Sequence, residues 1–162
     1  MKSNSLSNID ITNILRAQGI EINGIFMKDE LPKKLKKGFY VVNLASNSDN
    51  NGGTHWTTLY YSSADSFYFD AFGFIAPMEV DKRLKSYVYN TSQIQDINST
   101  ACGFYCIGFI IYMNSQNKKW KDIKVLSIIF HQTQRKMTKN YTRFCINRLI
   151  IHLVLPLISK SS

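Results

Sequence analysis

The sequence is poor in several features that would place it in familiar classes. Its 162 residues include three cysteines, a small and odd number, which excludes the disulfide framework that staples small secreted domains. There is no low-complexity tract and no internal repeat, so the chain as a whole is not disordered. The opening Met1-Lys2-Ser3-Asn4-Ser5 is polar and is followed by no apolar stretch like that of a signal peptide. Together with the scarce cysteines, it predicts a reducing intracellular compartment and a protein that is not secreted. A late apolar run, Leu149 to Ile158, is broken by Pro156 and reaches only about half the length that spans a bilayer. It predicts a core element and no membrane span, the alternative being a basic segment lying on a membrane surface.

Acidic residues are also scarce, but only at one end. Residues 1–114 hold ten Lys/Arg and ten Asp/Glu, whereas residues 115–162 hold ten Lys/Arg and the single acid Asp122. The whole net charge of +9 therefore lies in the last third. Such asymmetry fits a polyanion partner such as DNA, and fits equally a solvated basic surface kept for solubility. With 44% apolar and 13% aromatic residues, the chain is long enough to bury one core. Residues 1–114 are expected to form that core, with the basic segment 115–162 part of the same domain.

Ser7-Asn8-Ile9-Asp10 has the form of a capping box ahead of Ile11, Ile14 and Leu15, predicting a helix to about Gln18 that Gly19 and Gly24 end. The charge run Lys33 to Lys37 reads as a solvated loop. Gly38 to Ala45 reads as a buried strand, and Ser46 to Gly53 as a polar loop. His55–Tyr61 and Ser66–Phe72 flank Ser62-Ser63-Ala64-Asp65, a four-residue hairpin loop. That loop pairs Tyr61 with Ser66 and hence Thr57 with Asp70, so His55 lies diagonally across from Asp70 on one face. Diagonal neighbours are about 7–8 Å apart, within reach of a carboxylate–imidazole bond.

Cys102 to Met113 is apolar on every side and predicts a helix in the middle of the core. Ser99-Thr100 offers the N-cap and places Cys102 in the first turn, where the helix dipole and free amides favour a thiolate and can donate to an oxyanion. Beyond Met113, Asn114 to Asp122 is a Lys-rich connection and Val125 to Phe130 an apolar patch within a predicted helix.

A thiol, an imidazole, a carboxylate and a side-chain amide are the four groups a cysteine peptidase needs. Cys102, His55, Asp70 and Gln95 are the candidates. A cysteine on an apolar helix is ordinarily a core residue, which is the reading for Cys106 one turn on; Cys145 is read as structural. His131 and His152 have no acidic or thiol company in the sequence and read as structural or surface residues. Zinc held by Cys102, Cys106 and Cys145 with a histidine is the metal alternative, disfavoured because no second close cysteine pair exists. Trp56 is ordinary packing or a flat wall for a substrate.

Gly53-Thr54-His55-Trp56, Phe69-Asp70-Ala71-Phe72-Gly73-Phe74, and Gln95 followed seven residues later by Ala101-Cys102-Gly103-Phe104-Tyr105-Cys106 resemble the adenovirus-type cysteine proteases (adenain). They also resemble the relatives of those enzymes in virophages, Maverick/Polinton elements and large DNA viruses, and more distantly the ubiquitin-like-protein proteases. The likeness covers roughly residues 8–114, with Ile22 to Phe26 and Phe39 to Asn43 as lead-in; beyond 114 no family pattern is visible. It implies an α+β adenain-like fold, a central mixed sheet packed on a buried helix that carries the nucleophile. It implies Cys102 as nucleophile, His55 as general base and acid, Asp70 as the residue orienting His55, and Gln95 with the Cys102 amide as oxyanion hole. The implied function is endopeptidase cleavage of capsid or core precursor polypeptides during virion maturation, often at small residues such as glycine. The setting would be a host nucleus or cytoplasmic virus factory, with packaging in the virion. A monomer is expected, with no required cofactor and with stimulation by DNA. No cysteine lies between Asp70 and Gln95, so the family's disulfide-linked peptide cofactor is not expected. Two rivals follow: a protease of ubiquitin-like modifiers, and an inactive module that binds nucleic acid.

Overall fold

Ser7 starts the first helix. Its hydroxyl accepts from the Asp10 amide at 3.2 Å while the Asp10 carboxylate accepts from the Ser7 N–H at 2.8 Å, a closed capping box. The computed structural model describes residues 5–48 and 54–115, and helix α1 runs Asn8–Ala17. It ends in a Schellman arrangement, with Gly19 at φ 66° and the Gly19 and Ile20 amides bonded back to Arg16 and Leu15.

The fold is α+β, a five-stranded mixed sheet with three helices. The strands β1 (Ile25–Met27), β2 (Gly38–Asn43), β3 (Trp56–Tyr61), β4 (Phe67–Phe69) and β5 (Val88–Tyr89) lie in that order across the sheet. The outer pairs β1–β2 and β4–β5 are parallel and the inner pairs antiparallel. Alternation along each strand sends side chains to two buried faces. Phe39, Val41, Phe67 and Phe69 face one cluster together with Ile11 and Leu15 of α1 and Phe109 and Ile110 of α3 (Cys102–Ser115). Tyr40, Val42, Leu59 and Tyr68 face a second, closed by Val80 and Leu84 of α2 (Met78–Leu84). Helix α3 is thus apolar all round because it lies between α1 and the sheet.

The β3–β4 register pairs Thr58 with Phe69 and Tyr60 with Phe67, as the four-residue loop requires. Three expected boundaries change. The strand expected over 38–45 stops at Asn43, whose side chain turns the backbone (below). The strand expected over 66–72 stops at Phe69, because Asp70 opens a tight turn. The strand expected from His55 begins at Trp56, the first residue paired with β2. Elements β1, α2 and β5 were not predicted. Lys33, Lys34, Lys36 and Lys37 are exposed in a loop, as expected.

Among the described residues no helix is long and apolar enough to cross a membrane. Gly53 and residues 116–162, which include Asp122, His131, Cys145, His152 and both late apolar runs, lie outside the described residues.

Candidate functional site

The site is assembled at one end of the β3–β4 hairpin. His55 precedes β3 and is held by its carbonyl, which accepts from the Leu44 N–H at 2.9 Å. Asn43, 2% exposed, gathers the two ends of the connection before it: its Oδ1 accepts from the Ala45 and Thr54 amides at 2.9 and 3.1 Å. One buried side chain thereby fixes where the chain leaves β2 and where it returns to His55.

On the other arm, Asp70 follows β4 and opens the turn Asp70-Ala71-Phe72-Gly73. Its carbonyl accepts from the Gly73 N–H at 2.8 Å, and its carboxylate Oδ1 accepts from the Phe72 N–H at 2.8 Å. Gly73 has φ 76°, a conformation that glycine adopts without penalty. The same Oδ1 meets His55 Nε2 at 2.8 Å. Asp70 is fully buried, and Phe72 stacks on the imidazole with ring centroids 4.6 Å apart. The diagonal pair expected from the hairpin is therefore bonded.

With Nε2 committed to Asp70, the other ring nitrogen, Nδ1, is the one left for Cys102, whose side chain hydrogen-bonds the imidazole. Cys102 is the first residue of α3. The helix starts at Cys102 as expected, but not with the expected Ser99-Thr100 cap: Ala101 stands immediately before it, and its carbonyl accepts the first helical bond, from Tyr105. Ser99 Oγ accepts from the Ala101 N–H instead of a helical amide. The Cys102 sulfur itself takes amide hydrogen bonds, from Gly103 within the helix and from Trp56 at the start of β3.

These contacts set the charges. Burial pushes the Cys102 thiol up, but the hydrogen bond from His55, the amides of Trp56 and Gly103 and the charge of His55 outweigh it, and the net shift is downward. Burial pulls the His55 imidazole down, yet the bonds to Asp70 and Cys102 and their charges win, and its pKa is pushed up to about 9. The two titrate as a pair, and both shifts favour thiolate and imidazolium together. Cys106, four residues on, is fully buried and its thiol is pushed far up, which keeps it inert and suits a core residue.

Gln95 arrives by way of the same turn. The Ala71 carbonyl accepts from both the Ile94 and Gln95 amides, at 2.8 and 3.1 Å. The Gln95 side chain is 1% exposed, and its Nε2 donates one hydrogen to the Ser99 carbonyl at 2.7 Å. That bond fixes which end of the amide is the donor and leaves a second N–H on Nε2. Gln95 and Cys102 both line one groove, and the hydrogen bonds that Gln95 donates go to Ala71 and Ser99. Trp56 is half-buried, and its indole N–H donates to the Leu6 carbonyl at 2.9 Å. A groove of about 790 Å³ runs past these groups, lined by His55, Cys102, Gln95, Trp56, Phe72 and Leu6 among others.

Sequence reasoning missed Asn43, Phe72 and Leu6 as contributors to this end of the molecule. Asn43 and Phe72 were visible as members of the segments Phe39 to Asn43 and Phe69 to Phe74, and Leu6 as a lone apolar residue, with no spacing to single any of them out. Among the described residues no cluster of His, Cys, Asp and Glu is placed to hold a metal ion; the zinc alternative also involved Cys145, outside them. Chemically, the arrangement offers a thiol biased toward thiolate, an adjacent imidazole biased toward imidazolium, and a buried carboxylate that fixes the ring. The chain matches no protein-family model and no curated protein.

Proposed function

We propose that the chain is a cysteine peptidase. The observation that carries this reading is the continuous contact Asp70–His55–Cys102, a 2.8 Å carboxylate–imidazole bond followed by an imidazole–sulfur bond at the open end of a buried helix. In the proposed reaction the Cys102 thiolate attacks a peptide carbonyl carbon and forms a C–S bond. The developing oxyanion takes the Cys102 N–H and the second Gln95 Nε2 hydrogen. The His55 imidazolium gives its Nδ1 proton to the departing amine as the C–N bond breaks, leaving a thioester. Water then attacks the thioester, with neutral His55 taking its proton and the thiolate leaving. Asp70 keeps the ring aimed throughout, as a positioning residue.

Within that class, the reading is a maturation protease of adenovirus type. It is supported by the chain order His55, Asp70, Gln95, Cys102 and by a nucleophile helix packed on a mixed sheet. Its substrates would be capsid or core precursor polypeptides of a virus or virus-like element, with Trp56 as part of the groove wall. The basic segment 115–162 would meet DNA.

The test is mapping of the residue labelled by a peptide–glycine electrophile, alongside cleavage of capsid-precursor peptides and of ubiquitin-like-modifier conjugates. Rapid labelling at Cys102 that is lost in His55→Ala is expected, with cleavage of the precursor peptides. A folded sample unlabelled at Cys102 would sink the peptidase reading, and cleavage confined to modifier conjugates would replace the maturation role with a deconjugating one.

A further inference from the structure

Asn90 stands where the last parallel ladder gives out. Strand β5 pairs with β4 through Phe67↔Val88 and Tyr68↔Tyr89, and the next step would set Phe69 beside Asn90. There the chain turns away, and the Asn90 side chain continues the ladder in place of a backbone. Its Oδ1 accepts from the Asp70 N–H at 2.9 Å, and its Nδ2 donates to the Asp70 carbonyl at 2.6 Å. The second Nδ2 hydrogen goes to the Ser92 carbonyl at 3.3 Å. Asn90 is 7% exposed, so its amide spends both hydrogens and an oxygen lone pair on the turn that presents Asp70 and on the segment leading to Gln95.

We infer that Asn90 is a positioning residue for the Cys102–His55–Asp70 site: by gripping both backbone polar groups of Asp70 it fixes where the carboxylate points and therefore how His55 addresses Cys102. The assignment rests on the peptidase reading of that site. The chemistry demands asparagine. A carboxylate at this position would set an oxygen against the Asp70 carbonyl, an apolar side chain would leave a buried N–H unpaired, and glutamine is one methylene too long for the same two bonds. Among the described residues it is Asn90 that holds the Asp70 N–H, so removing Asn90 takes away the hold on that end of the turn while Gly73 and Phe72 still close the other. Small displacements matter here, since misplacing a reacting group by 1 Å can cost about 100-fold in rate.

The experiment follows the rate of Cys102 alkylation by iodoacetate against pH in the full chain, with mass mapping of the labelled cysteine. The anion reacts fastest with a thiolate beside an imidazolium, so the profile is a bell bounded by Cys102 on the acid side and His55 on the alkaline side. The charged groups facing the imidazole are Asp70 on the turn and Cys102 on α3. Asn90→Ala is expected to lower the maximum at least about tenfold, within the reach of such a misplacement, and to draw both limbs inward. Asn90→Ser, which keeps part of the grip, is expected to move in the same direction by less, and it serves if Asn90→Ala does not fold. In an Asp70→Asn background Asn90→Ala is expected to move the limbs no further, which a merely structural role would not produce. Limbs that respond to Asp70→Asn and ignore both Asn90 variants overturn the Asn90 assignment alone. Limbs indifferent to Asp70→Asn as well overturn the peptidase reading and the assignment with it.

Discussion

Replacing Gly73 by alanine tests how tightly the turn of Asp70 is wedged into the molecule. Gly73 has φ 76°, and a Cβ built there lies 2.8 Å from the Ser92 carbonyl carbon, 2.9 Å from that of Thr91 and 3.0 Å from the Gln93 nitrogen. All three are backbone atoms, so nothing can swing aside. The left-handed conformation alone costs a non-glycine residue about 1–2 kcal/mol, and forcing backbone apart adds about 1–3 kcal/mol. Gly19 supplies the control: φ is 66°, yet nothing lies within 4 Å of its Cβ position. Both alanines stiffen the unfolded chain alike, which returns about 0.4–1 kcal/mol in each case. The difference between Gly73→Ala and Gly19→Ala therefore isolates the crowding, about 1–3 kcal/mol, a sizeable part of a total of about 5–15 kcal/mol. Urea unfolding of both variants, compared at equal m-value, reads it directly. The strain must be relieved through the Asp70 turn or the segment leading to Gln95, so Cys102 alkylation should slow in Gly73→Ala and stay normal in Gly19→Ala. Equal stability losses, with alkylation unchanged in both, would refute the reasoning.

Two further outcomes follow from the same geometry. In the unaltered protein the iodoacetate profile should rise on the acid side below the ordinary thiol range, because the Cys102 pKa is lowered, and fall as pH passes about 9, where the raised His55 loses its proton; a single inflection at an ordinary thiol pKa would contradict the paired site. Asn43→Ala should cost about 1–3 kcal/mol through the stranded Ala45 and Thr54 amides, with faster hydrogen exchange at those two positions; unchanged exchange there would remove Asn43 from the support of His55.

The parts of this structure that could be read in advance are those with a repeating or local code. The capping box at Ser7 and Asp10 is a two-residue signal with one geometric meaning. The hairpin register followed from a short polar loop between two β-rich runs, and with it the diagonal approach of His55 to Asp70. Helix α3 was legible because a segment apolar on every side can sit only between layers. What escaped was too short or too particular. Strands β1 and β5 are three and two residues long and α2 is seven, fewer than a period needs to declare itself. Asn43 and Asn90 act through side chain-to-backbone bonds, whose partners are set by the fold and leave no spacing in the sequence. The start of α3 at Cys102 was legible but its cap was misjudged, because Ser99-Thr100 just ahead of it looked like one; Ser99 braces Ala101, and the thiol takes the Gly103 amide instead.

The near contact of Gly73 with Thr91, Ser92 and Gln93 has one more consequence, for how the chain tolerates change. The backbone leaves the site at Gly73 and comes back to touch it at 91–93, so residues 74–89 form a closed excursion whose two feet are pinned together. Within it Phe74, Ile75 and Met78 are more than 60% exposed. Lengthening the exposed connection ahead of α2 is inexpensive, since even doubling a flexible loop adds only about 0.6 kcal/mol of closure entropy. The stretch at Phe74 and Ile75, ahead of α2, is accordingly the place where a tag, a reporter or a whole foreign domain can be grafted while the carboxylate and the side-chain amide keep their places.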